Sequence, residues 1–380
     1  MTDLRVAIFT GNYNHIRDGV SLTLNRLVAY LQEQGVAVII FGPTIDEPAL
    51  DHKGEFFSVP SMPIPNRPEY RVSISFSNSA RKRLQAFNPN LLHIATPDLL
   101  GYKALRWAKD NDKRMVASYH THFTSYLKYY NLGMLEGLGW KYLGWFYEQC
   151  KQIYVPSPSM AHELKAKGID EGLRIWARGV NTDEFHPDKR DMEWRRSVGF
   201  EDADKVVSFV SRLVWEKNIQ TYVDTIRQLK QNHDHIKAMI VGDGPAKEEL
   251  EKMLPDAHFT GFVTDDKLTR AYASSDIFFF PSETETFGNV TLEAMSSGLP
   301  CLVADATGSR SLVESGVNGY LAEPYDTEVF VSRISELAED GLLWKKMSRK
   351  ARQKALDYSW ENVNRKLLEN YREVLSEPRL

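Results

Sequence analysis

DIFFFPSETETFGNVTLEAMSSGLPCLVAD (276–305) reads as a short apolar strand, a Pro-Ser loop, a helix and a second apolar strand. Strand, glycine-bearing turn, amphipathic helix and strand make up the repeating unit of a parallel sheet covered by helices. The loop places a carboxylate, Glu285, where a polar ligand could lie. Gly288 lets backbone approach closely, and the N–H groups opening the next helix point at negative charge. Phe287, Asn289 and Val290 surround that opening, and Glu293 lies further in, facing the same crevice. Two carboxylates at this spacing are common on solvated helices, so it is the strand–loop–helix context that makes them a candidate anion cradle.

The pattern repeats on both sides of this stretch. KVVSFVSRL (205–213), the helix NIQTYVDTIRQLKQ (218–231), KAMIVGDG (237–244) and HFTGFV (258–263) complete one doubly wound unit with it. In the first half, RVAIF (5–9) leads through a glycine-bearing loop to LTLNRLVAYLQEQG (22–35), whose Gly35 should end the helix before AVIIFG (37–42). NLLHIAT (90–96), RMVASYHTH (114–122) and QIYVPS (152–157) follow as buried strands. The polar WARGVNTDEFHPDKR (176–190) lies between the halves as a hinge. Expected boundaries are therefore 1–180 and 181–355, with 356–380 as a C-terminal helix packing back towards the first domain through Val363, Leu367, Leu368, Tyr371 and Val374. The expected class is α/β, two Rossmann-like doubly wound domains facing across a cleft that holds the site, outside the carboxyl ends of the strands. The Pro-rich SVPSMPIPNRPEY (58–70) reads as irregular, either an ordered surface loop or an acceptor-side lid.

A chain of 380 residues with 42% apolar content can bury two cores. A net charge of −4 gives no global basic field, so nucleic acid is not an expected partner. Cys150 and Cys301 have no metal-ligand spacing and fit a reducing compartment. LRVAIFTG (4–11) opens the chain without the features of a secretory signal, and no run is long enough to span a bilayer. A cytoplasmic protein, peripheral on the inner face of the membrane, is expected.

The turn Ser211-Arg212-Leu213-Val214-Trp215-Glu216-Lys217 presents two cations between a strand and a helix. Arg212 can fork two phosphate oxygens, and Lys217 adds a point charge. Gly242-Asp243-Gly244-Pro245 would begin a dinucleotide loop if position 247 were glycine. Lys247 stands there, so no hydride-transfer cofactor is expected. His120 and His122 end a strand and project towards the cleft, where imidazole can donate to hydroxyls. Neither has a third ligand that would make a metal site. Arg81-Lys82-Arg83, with Leu84 and Phe87, forms a basic amphipathic helix that could lie on anionic lipid or be an ordinary solvated face. The aromatic run 126–148 could line an apolar acceptor entrance or form a core helix pair.

Glu285-Thr286-Phe287-Gly288-Asn289 and Leu292-Glu293-Ala294-Met295 together resemble the signature of the retaining glycosyltransferases of family four, which have the GT-B fold. The resemblance covers nearly the whole chain and is strongest from 211 to 301. It implies that Arg212 and Lys217 clamp the donor diphosphate, Glu285 holds sugar hydroxyls, Glu293 holds the ribose and His120 lies beside the donor sugar. It further implies that the backbone of Gly261-Phe262-Val263 reads the base and that the loop at Gly19 approaches the distal phosphate. Many relatives carry two consecutive glycines at that loop, and this chain has Asp18-Gly19. SYHTH (118–122), LRIWARGV (173–180), GDGPAKEELE (242–251) and EAMSSGLP (293–300) look most like sulfolipid synthases and bacterial glycolipid glycosyl- and mannosyltransferases. That likeness implies a nucleotide-sugar donor, with a UDP-sugar ahead of GDP-mannose, and a lipid acceptor such as diacylglycerol. No cofactor and no metal are implied. A nucleotide-sugar epimerase and a non-catalytic nucleotide-sugar binder are the rival readings.

Overall fold

The computed structural model describes residues 4–64, 67–119, 136–285, 287–306 and 308–378. The chain divides into two compact units, Met1–Ala177 with Val363–Leu380, and Arg178–Asn362.

The first unit contains β1 (Arg5–Phe9), α1 (Gly19–Glu33), β2 (Ala37–Gly42), β3 (Glu55–Ser58), β4 (Ser61–Ile64), β5 (Arg67–Ser73), α2 (Asn78–Phe87), β6 (Leu91–Ile94), α3 (Leu99–Asp110), β7 (Arg114–Ser118), α4 (Glu136–Tyr147), β8 (Gln152–Val155), α5 (Pro158–Ala166) and β9 (Leu173–Ile175). Among the described residues its main sheet is parallel, in the order β3-β2-β1-β6-β7-β8-β9. The period of two along a strand divides the core between the faces. Ala7 and Phe9 pack with Leu84, Ala104, Phe146 and Leu164 of α2, α3, α4 and α5. Val6 and Ile8 pack with Leu24, Leu27 and Leu31 of α1 on the other face. The same second core takes in Val363, Leu367, Leu368, Tyr371 and Val374 of the C-terminal helix (Trp360–Ser376). Gly35 ends α1 at φ +74°, the left-handed position that closes a helix.

The Pro-rich segment departs from its irregular reading. β4 and β5 form an antiparallel ribbon in which Met62 faces Val72 and Pro63 faces Arg71, with a register irregularity between Pro63 and Ile64. A two-stranded ribbon has only edge strands, and there a proline displaces no interior ladder bond.

The second unit contains α6 (Met192–Ser197), β10 (Lys205–Val210), α7 (Ile219–Lys230), β11 (Ile236–Val241), α8 (Lys247–Met253), β12 (His258–Gly261), α9 (Asp265–Ala273), β13 (Ile277–Phe280), α10 (Asn289–Ser296), β14 (Cys301–Ala304), β15 (Gly319–Ala322), α11 (Thr327–Glu339) and α12 (Gly341–Leu356). The helix Trp360–Ser376, here α13, leads back to the first unit. The parallel order β12-β11-β10-β13-β14-β15 reverses between β10 and β13. This is the doubly wound order, and its switch point is where ligands sit, outside the carboxyl ends of the strands. Phe209 against Tyr222, Tyr222 on Phe279 and Phe279 against Phe330 tie the sheet to α7 and α11. Below the sheet, Arg195 is fully buried and pairs with Asp276 at 2.9 Å, so the stretch before β10 is fixed to the start of β13. The described helices include none long and apolar enough to cross a membrane.

Candidate active site

The turn after β10 carries Arg212 and Lys217, and the loop after β13 carries Thr284 and Glu285, so the two loops leave the sheet at its switch point. Lys217 Nζ donates to Glu285 Oε1 at 2.6 Å and to Thr284 Oγ1 at 3.1 Å. Both ends of the ion pair are mostly shielded, with side-chain exposures of 18% and 21%. Arg212 is held more loosely. It is 71% exposed and reaches Glu216 at 3.5 Å.

Local backbone explains why the loops stay together. Asn218 adopts φ +54°, a left-handed conformation that asparagine tolerates better than most residues. Its Nδ2 donates to Pro281 O at 3.2 Å and its Oδ1 accepts from Thr221 Oγ1 at 2.8 Å, so the entry to α7 is stapled to the loop after β13. The Gly242-Asp243-Gly244 turn braces the Arg212 turn from the other side: Leu213 N donates to Asp243 O at 2.9 Å and Ala246 N to Leu213 O at 3.1 Å. A Cβ on Gly242 would stand 1.9 Å from Ser211 O, and one on Gly244 2.4 Å from Leu213 O. These glycines are there because two main chains meet, and a dinucleotide is not needed to explain them. Gly242 N in turn donates to Gly261 O at 3.0 Å, so the end of β12 joins the same edge. Beyond it Phe262 projects with 76% of its surface exposed.

Glu285 is fixed through its main chain as well, since Gly308 N donates to its carbonyl at 3.0 Å. Gly288 then caps α10 at φ +92° with no side-chain cap, so the first N–H groups of that helix are not taken by the capping residue. Phe287 is buried and packs against Tyr358 at 6.0 Å between ring centres. Asn289 is exposed and Val290 half-buried. Glu293 receives a hydrogen bond from Tyr272 at 3.0 Å.

The chain shows two family matches: residues 191–354 match the family Glycosyl transferases group 1, and residues 17–184 match Glycosyltransferase Family 4. A GDP-mannose-dependent alpha-mannosyltransferase of Corynebacterium glutamicum is 31% identical, over 98% of this chain and 90% of its own. The chain belongs to the group 1, family 4 glycosyltransferases. This glycosyltransferase is also 30% identical to the sulfoquinovosyl transferase SQD2 of Arabidopsis thaliana, over 92% of its length and 69% of that protein's. Among solved structures, a sucrose-phosphate synthase of Thermosynechococcus elongatus superposes with a TM-score of 0.74 at 17% identity, covering 98% of this chain and 99% of the other. At that identity the likeness speaks to fold alone, and the fold is GT-B.

The second unit of this glycosyltransferase thus carries Arg212, Lys217, Gly261, Phe262, Val263, Glu285, Phe287, Gly288, Asn289, Val290 and Glu293. Gly19 and Arg81, Lys82 and Arg83 belong to the first. His120, His122 and Thr286 lie outside the described residues. Asp18 is the N-cap of α1: its Oδ1 accepts from Val20 N at 3.0 Å and Ser21 N at 2.8 Å. The residue that departs from the usual glycine pair therefore has a structural task at the mouth of the helix. α2 forms as expected around Ala80 and Leu84, but Arg83 is engaged in a two-pronged bridge to Glu55, at 2.7 and 2.5 Å. Arg81 and Lys82 are exposed. Sequence reasoning missed Thr284, Asn218 and Tyr272, whose importance comes from partners on other elements. An asparagine between the turn and the helix, a residue type that tolerates left-handed backbone, was the available signal for Asn218.

Proposed function

We propose that this glycosyltransferase moves a hexose-type sugar from a nucleotide-sugar, with a UDP-sugar favoured, to a membrane lipid such as diacylglycerol, retaining the anomeric configuration. The observation that carries the reading is the Lys217–Glu285 pair held at the switch point between β10 and β13. A diphosphate leaving group gathers negative charge as the bond from the anomeric carbon breaks, and fixed cations stabilise it without reorganisation. Lys217 and Arg212 supply that charge. Glu285, oriented by Lys217 and Gly308, accepts from sugar hydroxyls, and Glu293 accepts from the ribose. His120 is assigned to the donor sugar by family resemblance. The acceptor hydroxyl attacks the face the diphosphate leaves, and its proton passes to the departing phosphate oxygen. No step calls for a metal or a cofactor.

The lipid acceptor is supported by the glycolipid-synthase-like segments and by one face of the first unit. There Arg81, Lys103 and Arg106 line a cavity with Tyr102, Trp107 and a single acidic residue, Asp110, and Leu138 and Trp145 of α4 stand 61% and 40% exposed. Basic and aromatic side chains together suit an anionic membrane surface. A second reading, GDP-mannose as donor, is favoured by the full-length likeness to the alpha-mannosyltransferase.

The test is a donor screen of the full chain with UDP- and GDP-sugars, a lipid extract and chelator, read by nucleotide release and glycolipid mass. Lipid-dependent release from one UDP-sugar is expected. Release from GDP-mannose alone would replace the donor assignment, and release that ignores lipid would overturn the acceptor.

A further inference from the structure

Tyr272 lies near the end of α9 with no exposed surface, and its hydroxyl donates to Glu293 Oε2 on α10 at 3.0 Å. Two aromatic neighbours hold the ring: Phe185 edge-on at 5.7 Å and Phe278 at 6.1 Å between centres. Phe185 is itself pinned, because its carbonyl accepts from Arg352 at 2.9 Å and Ser296 Oγ at 2.7 Å. The phenol therefore cannot swing to another acceptor. Burial first, then the charge of Glu293, holds the hydroxyl well above the usual tyrosine range, so it keeps its proton through neutral pH. A neutral hydroxyl donating to a carboxylate makes a charge-assisted bond, and such a bond fixes the carboxylate plane as well as binding it.

We propose that Tyr272 is a positioning residue for the donor, whose hydroxyl aligns the Glu293 carboxylate for the ribose hydroxyls and so sets affinity for the ribosyl part of the nucleotide. The inference rests on the reading that Glu293 takes the ribose. No atom of Tyr272 touches substrate. Its effect reaches the ligand through the Glu293 oxygen that its hydroxyl binds. Without the hydroxyl, Glu293 loses one of the bonds that orient it before the nucleotide arrives, and completing that order on binding lowers affinity.

The test compares the full-length protein with Tyr272→Phe, Glu293→Gln and the double variant. Calorimetry would measure binding of UDP, GDP and their 2′,3′-dideoxy counterparts, alongside steady-state kinetics on the active donor and thermal melting. Wild type should bind the ribose nucleotide about tenfold or more tighter than its dideoxy form, the worth of a hydrogen bond to a charged group. Tyr272→Phe should weaken the ribose nucleotide by about tenfold and raise donor KM alike. Dideoxy affinity and kcat should stay near wild type, the melting temperature should fall by no more than the loss of one hydrogen bond to Glu293, and the double variant should be no weaker than Glu293→Gln alone. Unchanged ribose discrimination in Tyr272→Phe would overturn the positioning role, as would equal weakening of both nucleotides with a lowered melting temperature. If wild type itself ignores the ribose hydroxyls, the Glu293 assignment falls first and the proposal with it.

Discussion

Lys217 and Arg212 are both cations beside one turn, yet their surroundings differ enough to give different phenotypes. Arg212 is 71% exposed and loosely held, so Arg212→Ala should leave the melting temperature unchanged while lowering kcat by about 10²- to 10³-fold, the usual loss when a transition-state charge partner is removed. Lys217→Ala should lower kcat as much and also reduce stability, since Glu285 would keep a mostly shielded carboxylate without its 2.6 Å partner. Steady-state kinetics and thermal melts on both variants check this, and near-normal turnover in either would remove that residue from the chemistry. Legibility at this scale followed the chain. Arg212, Lys217, Gly288 and Glu285 could be singled out because each sits at a fixed offset from a strand end, where the sequence itself marks the turn. Tyr272 and Thr284 could not, because what matters is a bond to a residue on another element. The Gly242-Asp243-Gly244 turn was visible as a turn, but its close approach to Ser211 and Leu213 is a fact of packing between two strand ends.

Elements were legible wherever one face repeats. β1, β2, β6, β10 and β13 fall inside the apolar runs that suggest them and β11 begins one residue before its run, because a strand buried on both faces has few polar residues to obscure it. β3, β9 and the β4–β5 ribbon escaped notice: they are short or edge strands with exposed positions and, in the ribbon, two prolines, Pro63 and Pro68. One buried group inside these elements has a consequence for acid stability. His93 in β6 lies wholly buried between Ser118 on β7 and Tyr371 on α13, hydrogen-bonded to each. The rings of Tyr154 and Trp176 complete its surroundings, and desolvation lowers its pKa to about 3. An unfolded histidine titrates near its ordinary value of 6.5, so between there and about 3 the unfolded chain holds one more proton than the folded one. Stability therefore rises with pH across that window and is lost as pH falls, by roughly 1.4 kcal/mol per unit from this group. His93→Gln should be less stable at neutral pH but show a shallower decline from pH 6.5 to 5 by about one proton. Denaturant midpoints measured across that range decide it, and parallel slopes for wild type and variant would show that His93 does not carry the acid limb.

For the whole molecule, the chain enters the second unit near Arg178 and returns at Val363, so the first unit is completed by a segment that follows the whole of the second. The apolar stripe of α13 reads in the sequence as a helix packing back towards the first domain; the residues it meets came from the structure. Leu367, Leu368, Tyr371 and Val374 share a core with Leu24, Leu27 and Leu31 of α1, and Arg114 donates to the carbonyls of Val374 and Glu377. Each large side chain so buried contributes about 2 kcal/mol, so the set together rivals the whole stability of an ordinary domain, about 5–15 kcal/mol. Ending the chain after Asn362 should therefore unfold or aggregate the first unit while leaving the second intact. Lys217, Glu285 and Glu293 all lie in that second unit, so on the proposed reading of the donor site the shortened chain should still bind a nucleoside diphosphate yet transfer no sugar. Calorimetric titration with UDP and GDP, a transfer assay and limited proteolysis on the same preparation would separate these effects. Wild-type melting and turnover without residues 363–380 would mean that α13 is dispensable to the core it lies against. Loss of nucleotide binding together with turnover would mean that the second unit does not carry the donor site on its own.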